Sequence, residues 1–195
     1  AREFFIRMIA AADAAGQPDK ALDLATRGAG RFPTDDEIAL LRAQYLRKTG
    51  QLAQARAVVN GVVERNPHAP NAWTQKARIE AELGLGADTV LATLGRGLEN
   101  GEDRPTVALY ARTLGVAAMK DTVPNKIDPL RTALRYFKLS ASAQAGDTTS
   151  FLVGSTSVVL GQRLSAEPPA AKRCEVAKEM QALAVDAQIE LPKGG

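Results

Sequence analysis

Apolar residues recur along this chain in the three- and four-residue steps of helices, and few stretches alternate apolar with polar in the rhythm of strands. Val107, Tyr110, Ala111 and Leu114 share one helical face. Phe4, Phe5, Ile6, Met8 and Ile9 predict a first helix with little polar surface. Such a helix either packs on the one starting near Gln17 or is covered by upstream repeats or a partner. Further helices are predicted over about 129–142, 148–164 and 169–189. The last carries Glu175, Lys178 and Glu179 among apolar residues, as suits a capping helix with a solvated outer face.

The spacing of small residues and helix stops is periodic. Gly16, Gly50 and Gly84 lie 34 residues apart, as do Ala21 and Ala55, and as do Pro33 and Pro67. Glycine ends a helix readily because it enters the left-handed region without a Cβ clash. An alanine five residues later lets two helices approach closely, and proline stops the second helix. Each period therefore reads as helix, turn, helix, stop. Trp73 and Ala77 stand near the start of the helix that opens the third period.

With this period and these marks, the chain resembles the tetratricopeptide repeat, most clearly over residues 2–100. The resemblance implies an all-α fold, a right-handed α-solenoid of about five antiparallel hairpins, the last two degenerate. Its units would span 1–33, 34–67, 68–103, 104–143 and 144–191 of a single domain over 1–195. Some positions depart from the pattern. Arg42 stands where the family prefers leucine, and Thr89-Val90 replaces the small alanine of the third unit. Pro105 follows Pro67 by 38 residues, which stretches that unit. The linker Asp121–Asp128 exceeds a usual repeat turn.

In such a family the first helices of each pair line a concave face that holds partners. Carrying the register over puts Gln44, Arg47, Lys48, Asn71, Thr74, Arg78, Glu82 and Arg112 on that face. The expected occupant is a protein or peptide, acidic in character, since arginine forks match carboxylates; an ordinary solvated face is the plainer reading. Ala10 and Gln44 stand where asparagines of a terminal-carboxylate clamp would be, so chaperone-tail binding is not expected.

Composition changes this picture little. The 195 residues carry a net charge of +3, with 25 basic residues scattered among 22 acids. That is too weak a surplus for a dedicated nucleic-acid binder. A single cysteine, Cys174, excludes an internal disulfide and reads as a small core residue. The single histidine, His68, falls in an inter-repeat turn, so neither a catalytic triad nor a zinc site is expected. Asp35-Asp36 reads as a helix start and not as a catalytic pair. The glycines around 84–86, 95–97 and 154–161 lack the strand and lysine of a phosphate loop. No cofactor, metal or membrane span is expected.

The chain therefore reads as a scaffold or adaptor and not an enzyme. A regulatory segment of an enzyme whose catalytic domain lies outside this chain is the alternative. The opening Ala1-Arg2-Glu3 suggests a processed product or a fragment. The Ala- and Arg-rich style resembles exported bacterial repeat proteins, which favours a periplasmic or cell-surface location over the cytoplasm.

Overall fold

The computed structural model describes residues 1–120, 127–166 and 173–186. Every regular element among them is a helix. The linker over 121–126, the start of the last helix near Pro169, the Leu191–Gly195 tail and the Cys174 side chain fall outside the described set. The chain divides into two compact units, Ala1–Asp103 and Arg104–Gly195.

The first unit contains α1 (Arg2–Ala14), α2 (Pro18–Arg31), α3 (Asp36–Lys48), α4 (Leu52–Arg65), α5 (Ala72–Glu82) and α6 (Ala87–Glu99). The turns inside each pair are near copies. Gly16, Gly50 and Gly84 take φ of 66°, 78° and 70°. The next N–H reaches back five residues each time: Gln17 to Ala12 O at 2.9 Å, Gln51 to Leu46 O at 2.7 Å, Leu85 to Glu80 O at 3.1 Å. This closure satisfies carbonyls that a helix end leaves without partners. Ala21 and Ala55 are wholly buried, so the predicted close approach occurs at both. In the third pair Val90 is buried in the corresponding region, and the close approach is made elsewhere. A Cβ on Gly97 would lie 2.8 Å from Trp73 Cβ.

Helices α2 and α4 end at Arg31 and Arg65, two residues before Pro33 and Pro67. Pro105 behaves differently from those stops. It falls in the first turn of α7, where proline's missing N–H costs nothing. The third pair ends instead at Gly101, with φ of 82° and the Glu102 N–H bonded to Gly97 O at 2.9 Å.

Two buried clusters occupy the junctions of the first helices, and Ala77, Val90 and Leu94 are buried in the third pair. Ile9, Ala12, Leu24, Ala25 and Tyr45 bury the first junction, and Leu40, Leu46, Val59, Val62, Trp73 and Ile79 the second. Phe5 turns inward, against Gly28 and edge-on to Phe32. Phe4 and Met8 stay exposed. The apolar first helix is thus only half explained by packing on α2.

The second unit contains α7 (Arg104–Lys120), α8 (Asp128–Ala143), α9 (Asp147–Ala166) and α10 (Arg173–Asp186). Val107, Ala108 and Ala111 of α7 are buried, and Phe137 of α8 is fully enclosed against Gly115. Leu130, Leu134, Leu160, Leu164 and Leu183 form the core shared by α8, α9 and α10. Arg104 donates to the carbonyls of Ala143 and Ser142 at 2.9 Å each, a cation closing the C-terminus of α8. Arg131 forks onto Glu179 at 2.8 and 2.7 Å, joining α8 to α10. Among the described residues, no helix is long and apolar enough to cross a membrane.

Candidate functional site

Helix α3 starts where the chain leaves Pro33, and Asp35 fixes that start by accepting the Ile38 N–H at 3.0 Å. Burial works against the Asp35 charge. The hydrogen bonds from Arg2 and from backbone N–H groups outweigh it and hold the carboxyl below its usual range. Asp36 accepts from Arg65 at 2.6 Å and from Asn66 at 2.7 Å. The paired aspartates of the sequence are thus a helix start tied to its neighbours.

Helix α5 starts differently. Asn71 takes the left-handed conformation, φ 62°, and its side chain makes no capping bond. The buried Glu102 supplies the cap from beyond α6: its Oε1 accepts the Thr74 N–H at 3.3 Å. Burial pushes the Glu102 carboxyl up, partly offset by the hydrogen bonds from Thr74 and Trp73. Trp73 Nε1 donates to Pro67 O at 2.7 Å, which ties α5 to the stop of the preceding repeat. His68, exposed in that turn, sits with Nδ1 2.7 Å from Asn100 O.

Between α3 and α5 runs a groove of about 430 Å³. Leu40, Leu41 and Pro70 give it apolar surface, and Gln44, Asn71 and Gln75 contribute three carboxamides. The Gln75 Oε1 atom is sealed from solvent and accepts no hydrogen bond among the described residues. Asp36 and Glu37 stand at one edge, and both are engaged, with Arg65 and Arg2.

The residues expected on this face divide sharply. Gln44 and Asn71 line the groove. Arg47 and Glu82 are brought together, Arg47 donating to Glu82 at 2.6 Å and joining α3 to α5. Lys48 donates to Asp13 at 2.5 Å, joining α3 to α1, and lies 5.0 Å from the centre of the Tyr45 ring. That hydrogen bond holds the Asp13 carboxyl below its ordinary range. Burial, with the Asp13 charge, pushes the Tyr45 hydroxyl up to about 12. Arg78 is exposed on α5. Thr74 is 4% exposed, because its position on α5 turns into the helix junction that Glu102 caps. Arg112 belongs to the second unit, where it lines a cleft of about 230 Å³ with Leu109, Ser140 and Thr149.

Sequence reasoning missed Leu40, Leu41 and Gln75, which shape the groove, and Asp13, which neutralises Lys48. One signal could have found the ion pairs. Arg2–Glu37, Asp13–Lys48 and Arg47–Glu82 are each separated by 35 residues, one period plus one. In a stacked repeat that offset places opposite charges side by side on successive first helices. The other buried carboxylate, Glu80, is likewise structural. It accepts from Thr93 at 2.6 Å and lies 3.6 Å from Arg56, locking α4, α5 and α6 together.

Comparison with known proteins agrees with this architecture. The family profile described as tetratricopeptide repeat matches residues 14–79. A crystal structure of MamA protein superposes with a TM-score of 0.60 over 100% of this chain and 98% of that one, at 13% identity. MamA from Desulfovibrio magneticus RS-1 gives 0.58 over 96% and 94%, at 14% identity. TTC0263, a tetratricopeptide protein of Thermus thermophilus, gives 0.57 over 95% and 100%, at 14% identity. No curated protein sequence matches. These identities establish a shared fold and nothing finer. Residues 14–79 thus match the tetratricopeptide repeat, and the chain has the all-α helical fold of tetratricopeptide proteins, an architecture that commonly mediates protein–protein interaction and is generally not catalytic.

Proposed function

We propose that the first unit is a scaffold that holds an extended segment of a partner protein in the groove between α3 and α5. The observation that carries this reading is the lining of that groove. Three carboxamides, Gln44, Asn71 and Gln75, stand beside the apolar surface of Leu40, Leu41 and Pro70. A carboxamide both donates and accepts, so it matches the N–H and C=O of a peptide main chain. Leu40, Leu41 and Pro70 would take an apolar side chain of the same segment.

Charge plays a lesser part in this groove than the sequence led us to expect. Arg47 and Lys48 are already paired with Glu82 and Asp13. An acidic segment would have to displace those carboxylates, with little net gain. The groove is therefore read as a main-chain and apolar site.

An unbiased display library of 12-residue peptides, screened against the full chain, tests this. Recovered peptides should bind Gln75→Ala and Asn71→Ala at least about tenfold more weakly, a loss of about 1.4 kcal/mol. They should bind Arg47→Ala within about threefold of the parent. Peptides that ignore Gln75 and Asn71 but are lost with Arg47→Ala would replace this reading with an acidic-ligand groove.

A further inference from the structure

A second cleft, of about 500 Å³, lies on another side of α3, between α2 and α4. Small residues line part of it, Ala29 and Gly30 on α2 and Ala57 and Gly61 on α4, beside the larger Val58 and Val62. A Cβ built on Gly30 or Gly61 would meet nothing within 4 Å. The cleft is therefore open enough for a partner's backbone to approach both helices.

Arg42 of α3 reaches into this cleft, and Arg65 lines it further along α4. Their situations differ. Arg65 is held by Asp36 at 2.6 Å. Arg42 has its Nε sealed from solvent with no hydrogen-bond partner, and no carboxylate lies within 4.0 Å of it among the described residues. No aspartate or glutamate lines the cleft. By contrast, Arg2, Arg47, Lys48 and Arg131 each engage an acidic side chain of their own unit. A guanidinium with no carboxylate in its own unit keeps its fork for one from outside, the partner that fork matches best.

We propose that this cleft is a second docking site, one that takes an aspartate or glutamate side chain presented by a partner protein. The terminal Nη groups of Arg42 donate N–H···O bonds to that carboxylate, and the glycine and alanine positions admit the backbone that carries it. The acidic preference expected from the sequence thus belongs to the α2–α4 side. This site stands independently of the groove between α3 and α5, and separate substitutions address the two.

Two fluorescein-labelled 12-residue peptides of glycine and alanine serve as probes, one with three glutamates and one with glutamines in their place. Fluorescence anisotropy on the full chain at low salt should show the glutamate peptide binding at least about tenfold more tightly. Arg42→Gln should remove that preference, Arg42→Lys should retain part of it, and Gln75→Ala should leave it intact. Arg42→Leu should lose the preference while raising the thermal midpoint, because leucine removes a half-buried guanidinium whose Nε has no acceptor. In side-chain NMR spectra, the Arg42 Nε–H resonance should move on titration with the glutamate peptide. Equal binding of both peptides, or an undiminished preference in Arg42→Gln, overturns the proposal. So does an equally Arg42-dependent affinity for a single-stranded oligonucleotide, which would assign the site to nucleic acid.

Discussion

The helices of Ala1–Asp103 and those of Arg104–Gly195 solve the problem of close packing by different means. In the first unit the solution is repeated: a glycine with positive φ turns the chain inside each pair, and in the first two pairs a small residue follows in the next helix. Helices there run 11 to 14 residues, short enough to be set by the period. In the second unit the helices run 14 to 20 residues, and packing rests on individual fits. The main one is Phe137 against Gly115, where a Cβ on the glycine would lie 2.5 Å from the ring. A repeated device shares its load among equivalent positions, whereas an individual fit concentrates it. Substitutions should therefore be graded by position in the first unit and concentrated at a few residues in the second.

The largest effect is expected at that fit. Phe137→Ala empties a fully enclosed site and should cost about 3–5 kcal/mol in urea unfolding. Gly115→Val overfills the same notch and should cost about 1–3 kcal/mol. A loss below about 1 kcal/mol for Phe137→Ala would show that the load is shared here too.

The first unit offers one substitution with two signs. Gly50→Ala places a Cβ at φ 78° and should destabilise by about 1–2 kcal/mol. Gly95 sits inside α6 with nothing near its Cβ position. Gly95→Ala should therefore stabilise by about 0.5–1 kcal/mol. Thermal unfolding of both variants decides the matter; a loss at Gly95 would mean that α6 is packed more tightly than its surroundings indicate.

The smallest effect concerns pH. The folded state raises the Glu102 carboxyl above the usual 4.5, so it holds a proton more tightly than the unfolded chain does. The stability linked to that proton is fully present below 4.5 and is lost as pH rises through the folded value. Glu102→Gln keeps an acceptor for the Thr74 N–H and should flatten stability against pH in that window. A profile identical to the parent's would show that Glu102 titrates as an ordinary glutamate.

Much of the fold could be read in advance because its determinants are local and periodic. Gly16, Gly50 and Gly84 end helices for a reason that belongs to glycine itself, and Pro33 and Pro67 end them for a reason that belongs to proline. The groove was less legible. Gln44 and Asn71 followed from register alone, but Gln75 lies one residue from the expected Thr74, and a helical step of about 100° separates a groove wall from a buried junction. Pro105 shows the same limit in the backbone, since proline starts a helix as readily as it follows one.

By itself, the sequence determined that the chain is helical, where most helices end, and which small residues let neighbours approach, because these depend on single-residue conformation and spacing. Only the tertiary structure decided which charges are left to act. Arg47 and Lys48 are neutralised by carboxylates 35 residues away, while Arg42 is carried into a cleft that holds none. Ion pairing depends on distances between separate helices, and those distances exist only once the helices have stacked.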